Sequence, residues 1–291
     1  MSLYRLYERL RRRCVPPSGN NRSFLVQQHA VGQVRHETAE RLKRWPDIFS
    51  VMPHQVEFAP GLTTPTARTD AITHVAHAMH RDGLVAGWRN ESVAVAAVFG
   101  EAPLFHIERA ALRHFGLTLH AVHLNALTDF DRSGEMWLAR RSHNKATDPG
   151  CYDTIVGGGL GNGMGITATL IKECFEEAGM PADLASQARP AGAVHVRREV
   201  PEGVHDEILF THDLVVSKDF VPNNHDGEVQ EFVRLPLQDV IELIGSSDEV
   251  TVEASFVITD FLLRSGFISP DVPGYLPLCK LVHRGEKRAG S

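Results

Sequence analysis

The chain has 291 residues, 43% of them apolar and 23% charged, and its 36 acids against 30 bases leave a net charge of −6. That length suggests two domains or one large one. The balance excludes a disordered or collagen-like chain and lacks the basic surplus that non-specific nucleic-acid binding needs.

In chain order, residues 3–13 read as a short amphipathic helix. Their alternation of apolar and basic residues, with no cleavage site, is unlike a secretory signal. Residues 36–44 read as a second helix that stops near Trp45-Pro46. Residues 67–81 read as a third, closed by Asp82-Gly83, and residues 104–115 as a fourth ending at Gly116. Residues 92–99 look like a strand. The first 115 residues therefore read as an accessory α+β domain, with the boundary near residue 116. Beyond it, residues 119–127 and 135–141 alternate like paired strands, and residues 152–158 form a short strand running into glycines. A helix over 165–178 follows, then strands over 191–200, 206–216 and 228–235, and helices over 236–244 and 252–266. Strands around a central helix, with further helices at the end, imply an α/β layered domain over residues 116–291. No apolar run reaches the roughly 18 residues that cross a bilayer. Cys14, Cys151, Cys174 and Cys279 are scattered without a CxxC pair, which points to a reducing, cytoplasmic setting.

The most informative stretch is GGGLGNGMGITATLIKECFEEAGM, residues 157–180. A glycine-rich loop leads into a helix closed by Gly179, a residue suited to a helix end. Glu173, Glu176 and Glu177 fall at i, i+3 and i+4, so all three carboxylates share one face. Leu170, Ile171, Cys174, Phe175 and Ala178 lie opposite and are apolar. Three like charges on one face repel unless a cation neutralises them, and hard oxygen ligands suit Mg²⁺ or Mn²⁺. The alternative is a solvated acidic face. A second pattern overlaps the loop: residues 163–168 fit the dinucleotide fingerprint G-x-G-x-x-A. A dinucleotide fold would want a parallel strand after the helix, and Pro181 with a polar stretch follows instead.

This stretch resembles the Nudix hydrolase signature. Gly158 takes the opening glycine, and Lys172-Glu173-Cys174-Phe175-Glu176-Glu177-Ala178-Gly179-Met180 takes the long block at the family's spacing. Two positions depart from the pattern, Met164 for an isolated Glu and Lys172 for an Arg. Residues 137–159 and 219–235 resemble a Nudix subset related to thiamine pyrophosphokinase, whose members carry an extra N-terminal domain. The resemblance implies a Nudix α/β/α sandwich with a mixed sheet, preceded by the accessory domain. It further implies a hydrolase of diphosphate bonds that binds Mg²⁺ or Mn²⁺ through Glu173, Glu176 and Glu177. Its substrate would be a small organic diphosphate, such as thiamine diphosphate or an altered form, cleaved to the monophosphate and phosphate.

Arg140, Arg141 and Lys145 place three cations in six residues, enough to hold a diphosphate. The resemblance favours Arg140 and Lys145, and the expectation is that both face the loop containing Gly158. Glu228 and Glu231 are three apart on a strand and point to opposite faces. Glu228 is the first candidate for assisting the attacking water, as a catalytic carboxylate beside the three helix acids. His74, His77 and His80 run i, i+3, i+6, not the i, i+4 pair of a metal site, and read as ordinary helix histidines. Cys174 reads as core, and Cys151 carries no mark of a nucleophile. Two rival functions are an isopentenyl-diphosphate-isomerase-like enzyme, which would need a cysteine and an acid facing each other in the pocket, and a silent ligand-binding Nudix module. The partner expected is a small-molecule diphosphate, neither nucleic acid nor membrane, and no pattern sets an oligomeric state.

Overall fold

A computed structural model describes residues 3–130 and 134–283. Its first helix, α1 (Leu3–Arg13), is followed by β1 (Arg22–Val26), β2 (His29–Val34), α2 (His36–Leu42), β3 (Phe49–Val51), β4 (Gln55–Phe58) and α3 (Pro65–Arg81). Next come β5 (Ser92–Val95), β6 (Phe105–Glu108), a 3-10 turn over Arg109–Ala111, and α4 (Leu112–Phe115). The four short strands β2-β1-β4-β3 form one sheet, parallel only between β1 and β4, and β5 pairs with β6 in a separate hairpin. Phe24, Phe49, Phe58, Phe105 and Phe115 pack ring to ring beneath the sheet, with centroids 5.4–6.2 Å apart. Ile72, Val75 and Met79 of α3 close this core. The α3 helix starts where Thr64 accepts a hydrogen bond from the Ala67 N–H at 3.2 Å and Pro65 opens the first turn, a favoured pairing of cap and proline.

One expectation fails here. Residues 104–115 are not one helix, because Phe105 and Ile107 alternate into the core and pair with β5 before the chain turns. The helix over 3–13 forms, but it does not pack on the N-terminal sheet. Leu3, Leu6 and Leu10, spaced at i, i+3 and i+7, are buried against the closing helices of the second domain. A fully buried Leu contributes about 1.5–3 kcal/mol, so this helix is a structural part of the far half of the molecule.

The second half runs through β7 (Thr118–Leu127), β8 (Glu135–Arg141), β9 (Tyr152–Thr154), β10 (Val156–Gly159) and α5 (Ile166–Ala178). It continues with α6 (Ala182–Ala185), β11 (Arg189–Val200), β12 (Gly203–Val215), β13 (Val229–Pro236), α7 (Leu237–Ser246), α8 (Val252–Arg264) and α9 (Tyr275–Val282). The sheet order is β11-β12-β7-β8-β13, with β10 on β7 and β9 on β8. The β12–β7 pair is parallel and the rest are antiparallel, a mixed sheet. Val122, Leu124 and Ala126 face α5, whose Leu170, Cys174 and Ala178 cover them. Ala121, Leu138 and Leu209 face the opposite layer of α1, α7, α8 and α9. This is the α/β/α sandwich with a mixed sheet that the resemblance implies.

One detail of the sheet creates the site. The single strand expected over 152–158 is broken at Ile155, so that β9 pairs with β8 while β10 pairs with β7. Strands β7 and β8 themselves pair only at Leu127 and Met136. Between them the sheet gapes, and its edges line a cleft of about 510 Å³.

Candidate active site

The acidic helix and the glycines lie on one side of this cleft. Gly179 ends α5 in the left-handed conformation, φ 61°, which glycine adopts without a Cβ penalty. The three glutamates turn out to be unequal. Glu177 is buried, 6% exposed, and accepts a hydrogen bond from the Gly157 N–H at 2.8 Å. Glu173 lies against Gly158, where any Cβ would overlap its Cγ. Glu176 is the outermost, and Lys172 spans it at 2.5 Å and Glu173 at 3.1 Å along the same helix. Met164 stands in the loop before α5 with its sulfur beside Gly161. Lys172 thus takes its partners from its own helix, consistent with the joint loss of the Glu and Arg of the signature.

Burial pushes the Glu177 carboxyl up to about 8, with the nearby Glu173 and Asp153 charges adding, while the Gly157 N–H and Lys145 pull the other way. Burial also raises Glu173. The Glu177 carboxyl is therefore stabilised in its charged form by a further cation.

A loop from β12 brings more acids to the same place. The Asn223 N–H donates to the Ala178 carbonyl at 3.0 Å and the His225 N–H to the Glu176 carbonyl at 2.8 Å. The His225 ring stacks on Phe175, centroids 5.0 Å apart. Phe175, expected on the apolar side of the helix, is instead 55% exposed and serves as the platform for this loop. The docked loop sets Asp226 and Glu228 beside Glu177, with one carboxylate oxygen of each within 4.8 Å of the others. Lys145 ion-pairs with Glu228. Burial holds the Lys145 ammonium below the usual lysine range against the pull of Glu177 and raises Asp226. Three convergent hard oxygens, two more glutamates alongside, and one buried carboxyl lacking full charge compensation fit a divalent cation such as Mg²⁺ or Mn²⁺.

The cations divide differently from the expectation. Arg140 does not face the glycine loop. Its Nε contacts Glu231 at 2.9 Å, its guanidinium covers the Tyr152 ring at 4.5 Å, and Glu249 lies 4.0 Å away. The reason is the period of two along β8: Arg140 shares a face with Leu138, which points to the α7–α8 layer, whereas Arg141 shares the α5-side face with Trp137. Arg141 lines the cleft with Lys145, bonded to Asp153 at 3.1 Å and to the Thr147 carbonyl at 3.0 Å and 3.2 Å. Glu228 and Glu231 do point apart, one into the cleft and the other to Arg140.

The far wall holds residues the sequence did not single out. His205 Nε2 lies 3.0 Å from both Glu207 and Glu253, and Arg198 lies 3.2 Å from Glu253. Burial opposes charging His205, but the two carboxylates together outweigh it and lift its pKa to about 9. Burial likewise opposes charging Glu253, yet His205 and Arg198 hold its carboxyl below the usual range. The i, i+2 spacing of His205 and Glu207 on one strand face was a usable signal, but nothing local announced Glu253. The N-terminal domain also reaches the cleft, through Arg89, Glu91 and Arg109.

Other candidates resolve plainly. His77 stacks on Trp88 at 4.3 Å and His80 lies tilted against it at 5.1 Å, while all three histidines are exposed. Cys174 is buried in the core and its thiol is pushed up to about 12 by burial. The dinucleotide pattern fails because β10, the strand before α5, runs antiparallel to β7, and α6 follows the helix.

Known proteins match both halves of the chain. The NUDIX domain profile matches residues 120–254, and a domain of unknown function, DUF4743, matches residues 5–119. The chain is 35% identical over 265 residues to Nudix hydrolase 24, chloroplastic, of Arabidopsis thaliana, spanning 90% of this chain and 73% of that one. It is 35% identical over 264 residues to Nudix hydrolase 20, chloroplastic, of the same plant, spanning 88% and 71%. Among solved structures, a MutT protein from Methanosarcina mazei Go1 superposes with a TM-score of 0.38 at 20% identity, over 50% of this chain and 92% of that one. The NUDIX domain of Shewanella oneidensis NrtR, complexed with ADP ribose, superposes with a TM-score of 0.41 at 16% identity, over 52% and 90%.

Proposed function

The chain belongs to the Nudix hydrolases, enzymes acting on diphosphate bonds, and from that premise we propose that it cleaves a small organic diphosphate to the monophosphate and phosphate. The observation that carries the reading is the meeting of Glu177, Asp226 and Glu228 in a cleft that also holds Arg141 and Lys145. Glu173, Glu176 and Glu177, with Asp226 and Glu228 beside them, would hold Mg²⁺ or Mn²⁺, which supplies charge neutralisation on the diphosphate oxygens. Lys145 and Arg141 orient the phosphates through charge-assisted hydrogen bonds. Gly158 leaves room for Glu173 to lie flat against the strand. Glu228 accepts the proton of the attacking water, and its pairing with Lys145 holds it at the cleft.

The substrate we assign is thiamine diphosphate or an altered form of it, on the resemblance of residues 137–159 and 219–235 to the thiamine pyrophosphokinase-related subset. The isomerase reading is disfavoured, since among the described residues no cysteine lines the cleft. The free cysteines support a reducing compartment, which we take as the cytoplasm. Among the described residues no helix is long and apolar enough to cross a membrane. The test is kcat/KM for thiamine diphosphate and altered thiamine diphosphates against nucleoside and isoprenoid diphosphates, with the product identified as monophosphate. A higher kcat/KM for any other class discards the thiamine assignment. Tight binding with no phosphate released supports the silent module.

A further inference from the structure

The N-terminal domain presents two arginines to the cleft on two segments that Glu108 holds together before any ligand arrives. Glu108, at the end of β6, is buried, and its carboxylate accepts hydrogen bonds from the backbone N–H of Arg89 at 3.1 Å, Glu91 at 3.1 Å and Ala110 at 3.3 Å. The Arg109 N–H donates to the Glu91 carbonyl at 2.8 Å. One carboxylate therefore welds the loop before β5 to the turn after β6. On the outer side, Trp88 packs on His77 and His80, and its indole N–H donates to Asn90 at 3.0 Å. Residues on either side of Arg89 are anchored, while its side chain is left at the cleft.

The two arginines meet the Nudix half where the phosphates belong. The Arg109 guanidinium lies on Gly159, where a Cβ would come within 3.0 Å of both terminal nitrogens, and only one of those nitrogens donates to Glu91, at 2.9 Å and 3.2 Å. Gly87 abuts Ala146, at 3.7 Å from where its Cβ would stand, so the loop carrying Arg89 sits beside the loop carrying Lys145. Arg89 and Lys145 line the same cleft, with Arg141 beside them. Arg141 and Lys145 have carboxylate partners. Arg89 is exposed and has none within 4.0 Å among the described residues. A cation on a pre-formed loop, held close to two others, is favourable when an anion joins them.

We propose that Arg89 and Arg109 form an anion subsite, supplied by the N-terminal domain, that holds the second phosphoryl group of a diphosphate whose first is held at α5. This rests on the diphosphate-hydrolase reading and adds that the Nudix half alone is an incomplete site. Calorimetry on the full chain with Mg²⁺ tests it, using methylenediphosphonate and inorganic phosphate as probes. Expected is a weakening of methylenediphosphonate of about tenfold or more in R89A/R109A, with inorganic phosphate changed much less and partial rescue in R89K/R109K. The single variant R89A, altering an exposed side chain, keeps the test valid if the double variant misfolds, and should weaken methylenediphosphonate at least threefold. Methylenediphosphonate affinity within threefold of wild type in either variant, or an equal loss for inorganic phosphate, overturns the proposal. A wild-type protein that binds methylenediphosphonate but releases phosphate from no diphosphate sinks the hydrolase reading and leaves the subsite standing.

Discussion

The two walls of the cleft make an instructive pair. One is built by residues 157–180, a contiguous run in which loop, helix and acids follow each other at fixed spacing. The other is assembled from Arg89, Arg109, His205 and Glu253, which lie on four separate segments and line the same cleft. Chemistry that depends on helical spacing is local and shows in the sequence. Chemistry that depends on which strand ends converge does not.

The largest effect should come from the contiguous wall. Glu177→Gln keeps an acceptor for the Gly157 N–H but removes the charge, so phosphate release should fall a hundred- to a thousandfold, about 3–4 kcal/mol, by analogy with losing one group that stabilises transition-state charge. Circular dichroism should show an unchanged fold, and retained turnover would remove the helix from the chemistry.

On the opposite wall the effect should be on stability. His205→Gln leaves Glu207 and Glu253 buried without their cation and should cost about 3 kcal/mol in denaturant unfolding, less if Arg198 compensates. The wild type carries the matching pH signature. The folded His205 pKa of about 9 lies above the ordinary 6.5. Its stabilisation is therefore complete below pH 6.5 and lost as pH rises through about 9. Melts of wild type and His205→Gln should converge at alkaline pH, and parallel curves would show that the histidine is not charged.

How much of the site was legible follows the same division. Spacing and resemblance single out Gly158, Glu173, Glu176, Lys145 and Glu228, which line one cleft, and Glu177, which is buried on the same helix. The alternation of β8 puts Arg140 and Arg141 on opposite faces, but which face α5 covers is a tertiary fact that the strand does not carry. The helix expected over 104–115 failed because pairing with β5 overrode helical pattern at Phe105 and Ile107. Helix α1 was read correctly as an element, but its leucines could not reveal that their partners lie more than 200 residues away.

Two smaller effects sharpen the contrast. Gly158→Ala should displace Glu173, cutting turnover about tenfold and costing about 1–3 kcal/mol of stability through overpacking. A crystal structure showing Glu173 unmoved would contradict that. Arg140→Ala should leave KM unchanged for every diphosphate and cost about 1–2 kcal/mol, because it removes partly exposed contacts, the ion pair with Glu231 and the cover over the Tyr152 ring. A raised KM would return Arg140 to the phosphate site.

The most direct measurement is phosphorus NMR of wild-type protein with a panel of organic diphosphates and Mg²⁺, followed by addition of a chelator. A metal-dependent hydrolase gives monophosphate and phosphate peaks that grow with Mg²⁺ and stop growing when the metal is withdrawn. No new peak from any diphosphate, or cleavage that continues unchanged in the chelator, would contradict a metal-dependent diphosphate site on Glu177, Asp226 and Glu228.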